Sequence, residues 1–376
     1  MTRVAIVGAG VICARGLSWR GLSGPVDAPA YPAARALASS HPGTAAAEVP
    51  AVPAPANAAE ARARKLMSRS ALLAAVATGA ALDDAGWGDD RDLIGMYLGV
   101  GASGGSMEQL EAMLAAAVED GALSAARFGD AGLRACSPLF AFQLMNNFTL
   151  CHGAIQHGVG GPNAAVYSRG SGTVLALDEA AHAVATGACT RALAGGADSA
   201  LHPVTWDELV RQGGAALIPG EAAAILALTQ DPADPAVLAF VDGCRVCPGG
   251  GVRLDPGHPS EIGPEQAVGS APGSVPGSVP GSIDVEPLPG RFDSVVLMPS
   301  GPRAEAELRA WARARLPEVP VVDAAAGLGE TLAAGPALAW LVALDRLTEN
   351  PAQRALVVSA GVDGDLAMVA LAGRAT

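Results

Sequence analysis

The 376-residue chain has a single lysine, Lys65, and no histidine beyond His258. Arginine supplies the rest of the basic charge, and 24 basic side chains against 37 acidic ones leave a net charge of −13. No basic stripe remains to neutralise phosphates, so nucleic acid is not an expected partner. Long hydrophobic runs are also missing: none reaches the roughly 20 residues of a membrane span. The opening MTRVAIVGAG reads as a strand, not as a charged segment before a cleavage site, which places the chain in the cytoplasm with no membrane partner. Cysteine is sparse. Cys13, Cys136, Cys151, Cys189, Cys244 and Cys247 mostly fall inside apolar segments, where a free thiol acts as a small hydrophobe, and a reducing compartment fits them.

What is present is apolar bulk, half of all residues, ample for a buried core. Short runs such as VAIVG (4–8), IGMYLGV (94–100) and RALAGG (191–196) alternate with helical stretches, the pattern of layered α/β structure. Residues 66–87 are apolar nearly all round and end at Gly86, which predicts a buried helix with a glycine C-cap. Ser106 followed by Gln109 has the form of a capping box. It opens a helix over 106–118 with Met107, Leu110, Met113, Leu114 and Val118 on one face. That face needs an apolar neighbour, either core or a subunit interface. After about 230 the alternation resumes, and one later helix opens at Pro336, where the missing N–H has no intrahelical acceptor to lose. The layout suggests two similar α/β halves, 1–230 and 231–376. A Gly/Pro/Ser-rich stretch over 249–290 is too polar to offset chain entropy and is expected to be a mobile surface loop.

Three motifs carry little chemistry. GAGVIC after the first strand has Cys13 where a dinucleotide fingerprint needs its third glycine. Cys244 and Cys247 form a CxxC whose nearest histidine is His258, short of four zinc ligands, so no metal is expected. Asp83, Asp84, Asp89 and Asp90 surround a helix end, where solvated charge is ordinary.

Residues 161–180, GPNAAVYSRGSGTVLALDEA, read as a strand, a glycine-rich turn and a helix. This segment resembles the nucleophile elbow of the β-ketoacyl synthases, condensing enzymes of the thiolase fold. MSRSALLAAVATGAALDDAGW, LIGMYLGVGASGG, SPLFAFQLMNN, HGAIQHGVGGPN and RALAGGADSALHP follow in that family's order and spacing. The resemblance covers most of 1–230 and, more weakly, 290–376. It implies a thiolase-like fold of two α/β halves in an α-β-α-β-α stack. In active members the elbow residue is a cysteine whose thiolate, favoured by the helix dipole, takes the acyl chain. Here Gly170 stands there. The two family histidines align with Pro299 and Glu330, and the family lysine with Ala325. No alignment restores the histidines, because none follows His258. Ser168 and Ser171 flank the elbow without a recognisable general base, His152 reads as a structural core histidine, and Arg169 fills the vacated space or makes a salt bridge. Ser359 and Asp363 occupy positions where the family has a gating Phe and an Asn.

The resemblance therefore implies a chain length factor, the non-catalytic, ketosynthase-like subunit of a type II polyketide synthase. Its partners would be an active ketosynthase, in a heterodimer, and an acyl carrier protein. No cofactor of its own is implied, because the phosphopantetheine-borne substrate is bound mainly by the partner. The dimer strand would be Asn163, Ala164, Ala165, Val166, Tyr167 and Ser168. An interface tunnel would take side chains from Ser103, Met107, Leu110, Met113, Leu114, Phe140, Phe142 and Trp206. A bulky group at its end costs about 1–3 kcal/mol of overpacking, enough to favour termination by about tenfold or more. Aromatic-pathway chain length factors usually carry Gln at the elbow, so Gly170 favours a highly reducing pathway that builds polyene or fatty-acid-like chains. The alternative is a self-dimerising acyltransferase with a non-standard nucleophile.

Overall fold

The computed structural model describes residues 3–26, 31–102, 104–251 and 283–376. Most of the expected loop, and tunnel candidate Ser103, lie outside the described residues. Ten strands form one sheet: β1 (Val4–Ile12), β2 (Gly95–Val100), β3 (Asn163–Tyr167), β4 (Arg191–Ser199), β5 (Glu221–Thr229), β6 (Ala239–Cys247), β7 (Ser294–Met298), β8 (Val321–Asp323), β9 (Arg354–Ala360) and β10 (Leu366–Gly373). Their spatial order is β8-β7-β9-β10-β6-β1-β5-β4-β2-β3. Read outward from the β1–β6 junction, the two arms repeat each other. In each, the first strand pairs antiparallel with the fifth, the fifth antiparallel with the fourth, and the fourth, second and third run parallel. The arms join where Val4, Ala5 and Ile6 of β1 face Val241, Phe240 and Ala239 of β6.

The longer helices are α1 (Arg69–Asp84), α2 (Met107–Ala116), α3 (Phe148–His157), α4 (Ser171–Thr186), α5 (Pro203–Arg211), α6 (Gly301–Arg315) and α7 (Gly335–Glu349). α4 and α7 pack on each other and on strands of both arms, forming the middle layer of an α-β-α-β-α stack. Their sequences require such a place. In α7, every residue from Gly335 to Asp345 is buried, with Trp340 wholly enclosed, and so helix α7 has no solvent face. Asp345, its buried carboxylate, accepts the N–H groups of Gly21 and Ser23 and the Ser23 hydroxyl at 2.6–3.0 Å, which pins the loop after β1 onto the helix. α1 and α3 cover the outer face of one arm and α6 that of the other.

Local signals behave as the sequence predicts at several ends. Ser68 caps α1 by accepting the Ala71 N–H, and Gly86 follows the helix at φ +66°. Ser106 caps α2, but Gln109 turns away from the reciprocal bond and accepts the N–H of Ser137. GAGVI of the first motif lies within β1: a Cβ on Gly10 would sit 2.1 Å from the Ala77 carbonyl of α1, so glycine there serves close helix–strand packing. Two expectations fail. Asp84 is no solvated charge; it accepts the Ala9 N–H, the Trp19 indole N–H and the Arg20 guanidinium. The end of the presumed loop also packs: Leu288 is buried, Ile283 and Val285 rest on the α6 core cluster, and the Trp311 indole donates to the Val285 carbonyl at 2.7 Å. Exchanging Gly10 for Ala is expected to cost about 1–3 kcal/mol by forcing α1 off β1, measurable as a lower denaturant midpoint at unchanged slope.

Candidate functional site

Among the described residues β3 pairs only with β2, from Met96 opposite Asn163 to Val100 opposite Tyr167, and so forms one edge of the sheet. The chain then turns sharply through Ser168, Arg169 and Gly170 into α4. Gly170 is the N-cap, at φ +156° and ψ −73°, and a Cβ there would meet the Gly361 Cα at 3.1 Å. The Ser168 hydroxyl oxygen accepts the N–H groups of Gly170 and Gly172, at 3.2 and 2.6 Å, taking up donors that a helix start leaves over. Arg169 forms an ion pair with Glu208 at 2.6 Å and donates to Gln212 at 2.8 Å, tying the elbow to α5 and the residue after it.

The turn faces the ends of β7 and β9. Gly170, Pro299, Glu330 and Ser359 line one cavity of about 10 Å³. That is about the space one water molecule needs. Next to it, an open recess of about 170 Å³ takes in Pro299, Ala325 and Glu330, with Tyr31 and Glu305 on its walls. Four positions singled out from three separate stretches of sequence therefore line two adjoining cavities that share Pro299 and Glu330.

Acids fill the surroundings. Glu330 is buried, accepts the Leu332 N–H at 2.8 Å, and burial raises its pKa to about 7, with the nearby Asp363 adding to the rise. Asp198, at the end of β4, is wholly buried and accepts the N–H groups of Ser199 and Ala333; burial lifts it too to about 7, against the opposing pull of Arg169. The Asp363 carboxyl is raised by burial and by Asp365. Asp198 was not singled out from the sequence, although an acid closing the apolar run RALAGGAD was a readable signal. Contrary to expectation, Ser171 does have a carboxylate beside it: its hydroxyl donates to Asp365 at 2.8 Å. The serine is 6% exposed, and Asp365 also holds the Gly249 N–H, so the pair fastens the start of α4 to the β9–β10 turn.

The remaining candidates divide. Along β3, Asn163 and Tyr167 are exposed, while Ala164, Ala165, Val166 and the following Ser168 are half-buried. On α2, Met107 and Leu110 are half-buried and Leu114 is exposed, whereas Met113 is buried. Phe140 lies buried beneath Gly105, and Trp206 lies in a core cluster with Leu37, Leu201 and Leu209. Phe142 is half-buried and stacks at 4.9 Å on Phe148, which in turn meets His152 at 5.4 Å. His152 is buried, and burial lowers its pKa. Among the described residues no group of three or more potential metal ligands occurs, and Cys244 and Cys247 both lie in β6.

The raised carboxyls set a direction for pH. In the unfolded chain Asp198 and Glu330 release their protons near their ordinary values of 3.8 and 4.5, but in the folded chain only near 7. Their contribution is thus fully present below about pH 4 and is lost as pH rises through 7. Denaturation series between pH 5 and 8 are expected to show stability falling with pH from this source, and the double variant Asp198→Asn/Glu330→Gln should flatten that fall.

The profile of the β-ketoacyl synthase N-terminal domain matches residues 1–225. No curated protein sequence matches the chain. Among solved structures, the ishigamide ketosynthase/chain length factor is similar at 21% identity, with 99% of each chain covered and a TM-score of 0.68. A type II polyketide synthase acyl-carrier protein in complex with its ketosynthase bound to the hexaketide gives 14% identity, 99% coverage of each chain and a TM-score of 0.67. A β-ketoacyl synthase from Burkholderia phymatum gives 17%, 99% of this chain, 100% of the other and 0.68. At these identities the structures speak for the thiolase-like fold alone, but the profile spans more than half the sequence, and the chain belongs to the β-ketoacyl synthase family.

Proposed function

We propose that the chain is a chain length factor: a non-catalytic subunit that pairs with an active ketosynthase and shapes the tunnel into which an acyl or polyketide chain grows. The observation that carries this reading is the vacated elbow. Gly170 offers no nucleophile, Pro299 no base, and the cavity they share has room for about one water. A thioester cannot be held there. Ser171, the alternative nucleophile of a self-dimerising acyltransferase, is buried with its hydroxyl committed to Asp365, and among the described residues no imidazole bonds to it. The substrate then stays on the phosphopantetheine of an acyl carrier protein and is bound mainly by the partner, as the similar complex with an acyl-carrier protein suggests.

Pairing is supported by the exposed edge. β3 has an open row of backbone donors and acceptors on the side away from β2, and strand addition there satisfies them. Of the thirteen large hydrophobics exposed among the described residues, nine lie between 114 and 167, the stretch from α2 to the end of β3. So dense a run of exposed apolar side chains favours an interface over open solvent. Within it, Met107, Leu110 and Leu114 share one face of α2 and are the residues left free to close a tunnel, because Met113, Phe140 and Trp206 are engaged in this chain's own core. We assign the product to a highly reducing pathway on the basis of Gly170 in place of Gln.

Purified alone and supplied with acyl and malonyl carrier-protein thioesters, the chain is expected to show neither acylation nor decarboxylation; either one would remove the non-catalytic reading. Gly170→Cys should lower the melting temperature by a few degrees, through strain against Gly361, without gaining activity. Co-expressed with an active type II ketosynthase, the chain should co-purify as a heterodimer, and Tyr167→Asp on the exposed edge should abolish that while leaving the monomer folded. In the heterodimer, Leu114→Trp should shorten the product; an unchanged product would take α2 out of the tunnel.

A further inference from the structure

A separate chamber of about 200 Å³ lies at the carboxyl ends of β2 and β4, between the start of α1, the turn into α5 and the link that leads to α2. None of the degenerate catalytic positions lines it. Its volume is below the roughly 300–1,000 Å³ of pockets that enclose whole drug-sized ligands, so it suits a short molecule or the end of a longer one. Ala36, Gly104, Leu201 and Pro203 give it apolar walls, and Ala36 lies exposed at the surface. The chamber depends on Gly104: a Cβ there would sit 2.1 Å from the His202 ring.

The polar groups are few and fixed. Glu221, 1% exposed, takes Arg69 in a two-pronged grip at 2.5 and 2.8 Å. It also accepts the Ser199 hydroxyl and the Val49 N–H, and its oxygens are thereby occupied. Arg69 is held in one orientation by its Nε and one terminal nitrogen, and among the described residues the other, Nη1, has no hydrogen-bond partner. His202 donates from Nε2 to the Gly105 carbonyl at 3.0 Å. A carbonyl can only accept, so the proton is on Nε2 and Nδ1 presents a lone pair. Glu48, Ser70 and Ser199 line the chamber as well, and beside its apolar walls Arg69 supplies a donor and His202 an acceptor. A cation would meet Arg69; an anion would meet Glu221 and Glu48. A neutral hydroxyl both donates and accepts.

We propose that this chamber is a binding site for a small, neutral, hydroxyl-bearing aliphatic group, with its hydroxyl between Arg69 and His202 and its carbons against Leu201 and Pro203. Two sources share that chemistry: a free alcohol from solution, and the hydroxylated far end of an acyl chain. The second rests on the chain-length reading; the site itself does not.

The test uses the full chain and three probes of equal length, 1-hexanol, hexanoate and hexylamine, followed by ligand-observed NMR. Hexanol should bind with a dissociation constant on the order of millimolar for its few heavy atoms, at least tenfold tighter than either charged probe. His202→Phe, which removes the acceptor, and Ala36→Phe, which blocks the chamber from its exposed wall, should each weaken binding at least tenfold. Because Ala36 is exposed, its variant stays folded even if loss of the Gly105 contact unfolds the other. Equal binding of the three probes, or hexanol binding unchanged in Ala36→Phe, overturns the proposal. In the heterodimer, a changed product with Ala36→Phe identifies the acyl chain as the source, and an unchanged product with hexanol still bound by the parent identifies a free alcohol. Should no heterodimer form, the chain-length reading falls while the hexanol titration still decides the site.

Discussion

Two largely buried helices govern the architecture. α4 and α7 lie between the arms of the sheet, and although α4 keeps one exposed strip at Leu175, Asp178, Glu179 and His182, the packed sides of both must be apolar and narrow enough for strands to approach. Alanine and glycine meet both demands, which accounts for the many small residues in SGTVLALDEAAHAVAT and GPALAWLVALDRLTE. The same burial fixes where each helix begins. The start of α4 is held by Ser168, by the Ser171–Asp365 bond and by close approach to Gly361, so the elbow keeps its sharp turn.

Buried acids set the electrostatics of the elbow region. Glu330, Asp198 and Asp363 stand near one another, with Arg169 as the cation that lowers Asp198. Arg169 itself is drawn toward Glu208 on α5. Asp198 and Glu330, buried with so little compensation, remain protonated to about neutrality, and a protonated acid can both donate and accept a hydrogen bond.

Much of the fold was legible in the sequence. The period of apolar residues predicted the layered strands and the buried helix over 66–87, and Ser68 and Gly86 marked its ends. The order of motifs led to Gly170, Pro299, Ala325 and Glu330, which the fold gathers from distant segments. Other features were not readable, for physical reasons. Periodicity identifies an apolar face but not which partner covers it. Met113 and Trp206 therefore looked equivalent to Leu114, although the first two are covered by their own chain and the last is not. A carboxylate's role depends on which N–H groups converge on it. Asp84 reads as an ordinary helix-end charge and is instead, together with Asp345, an anchor of the chain segment after β1. Nor does composition show that the last residues of a Gly/Pro/Ser-rich stretch return to lie under Trp311.

The edge at β3 has a consequence for the life of the chain before assembly. A flat strand with an alanine-rich centre and an unfilled hydrogen-bonding row accepts any extended segment that reaches it, including one from a copy still being synthesised. The core does nothing to protect that row. On the proposed pairing, survival of a newly made molecule is a race between capture of its edge by the partner's strand and by a wrong one, decided by relative amounts and timing of supply more than by how firmly the interior is packed.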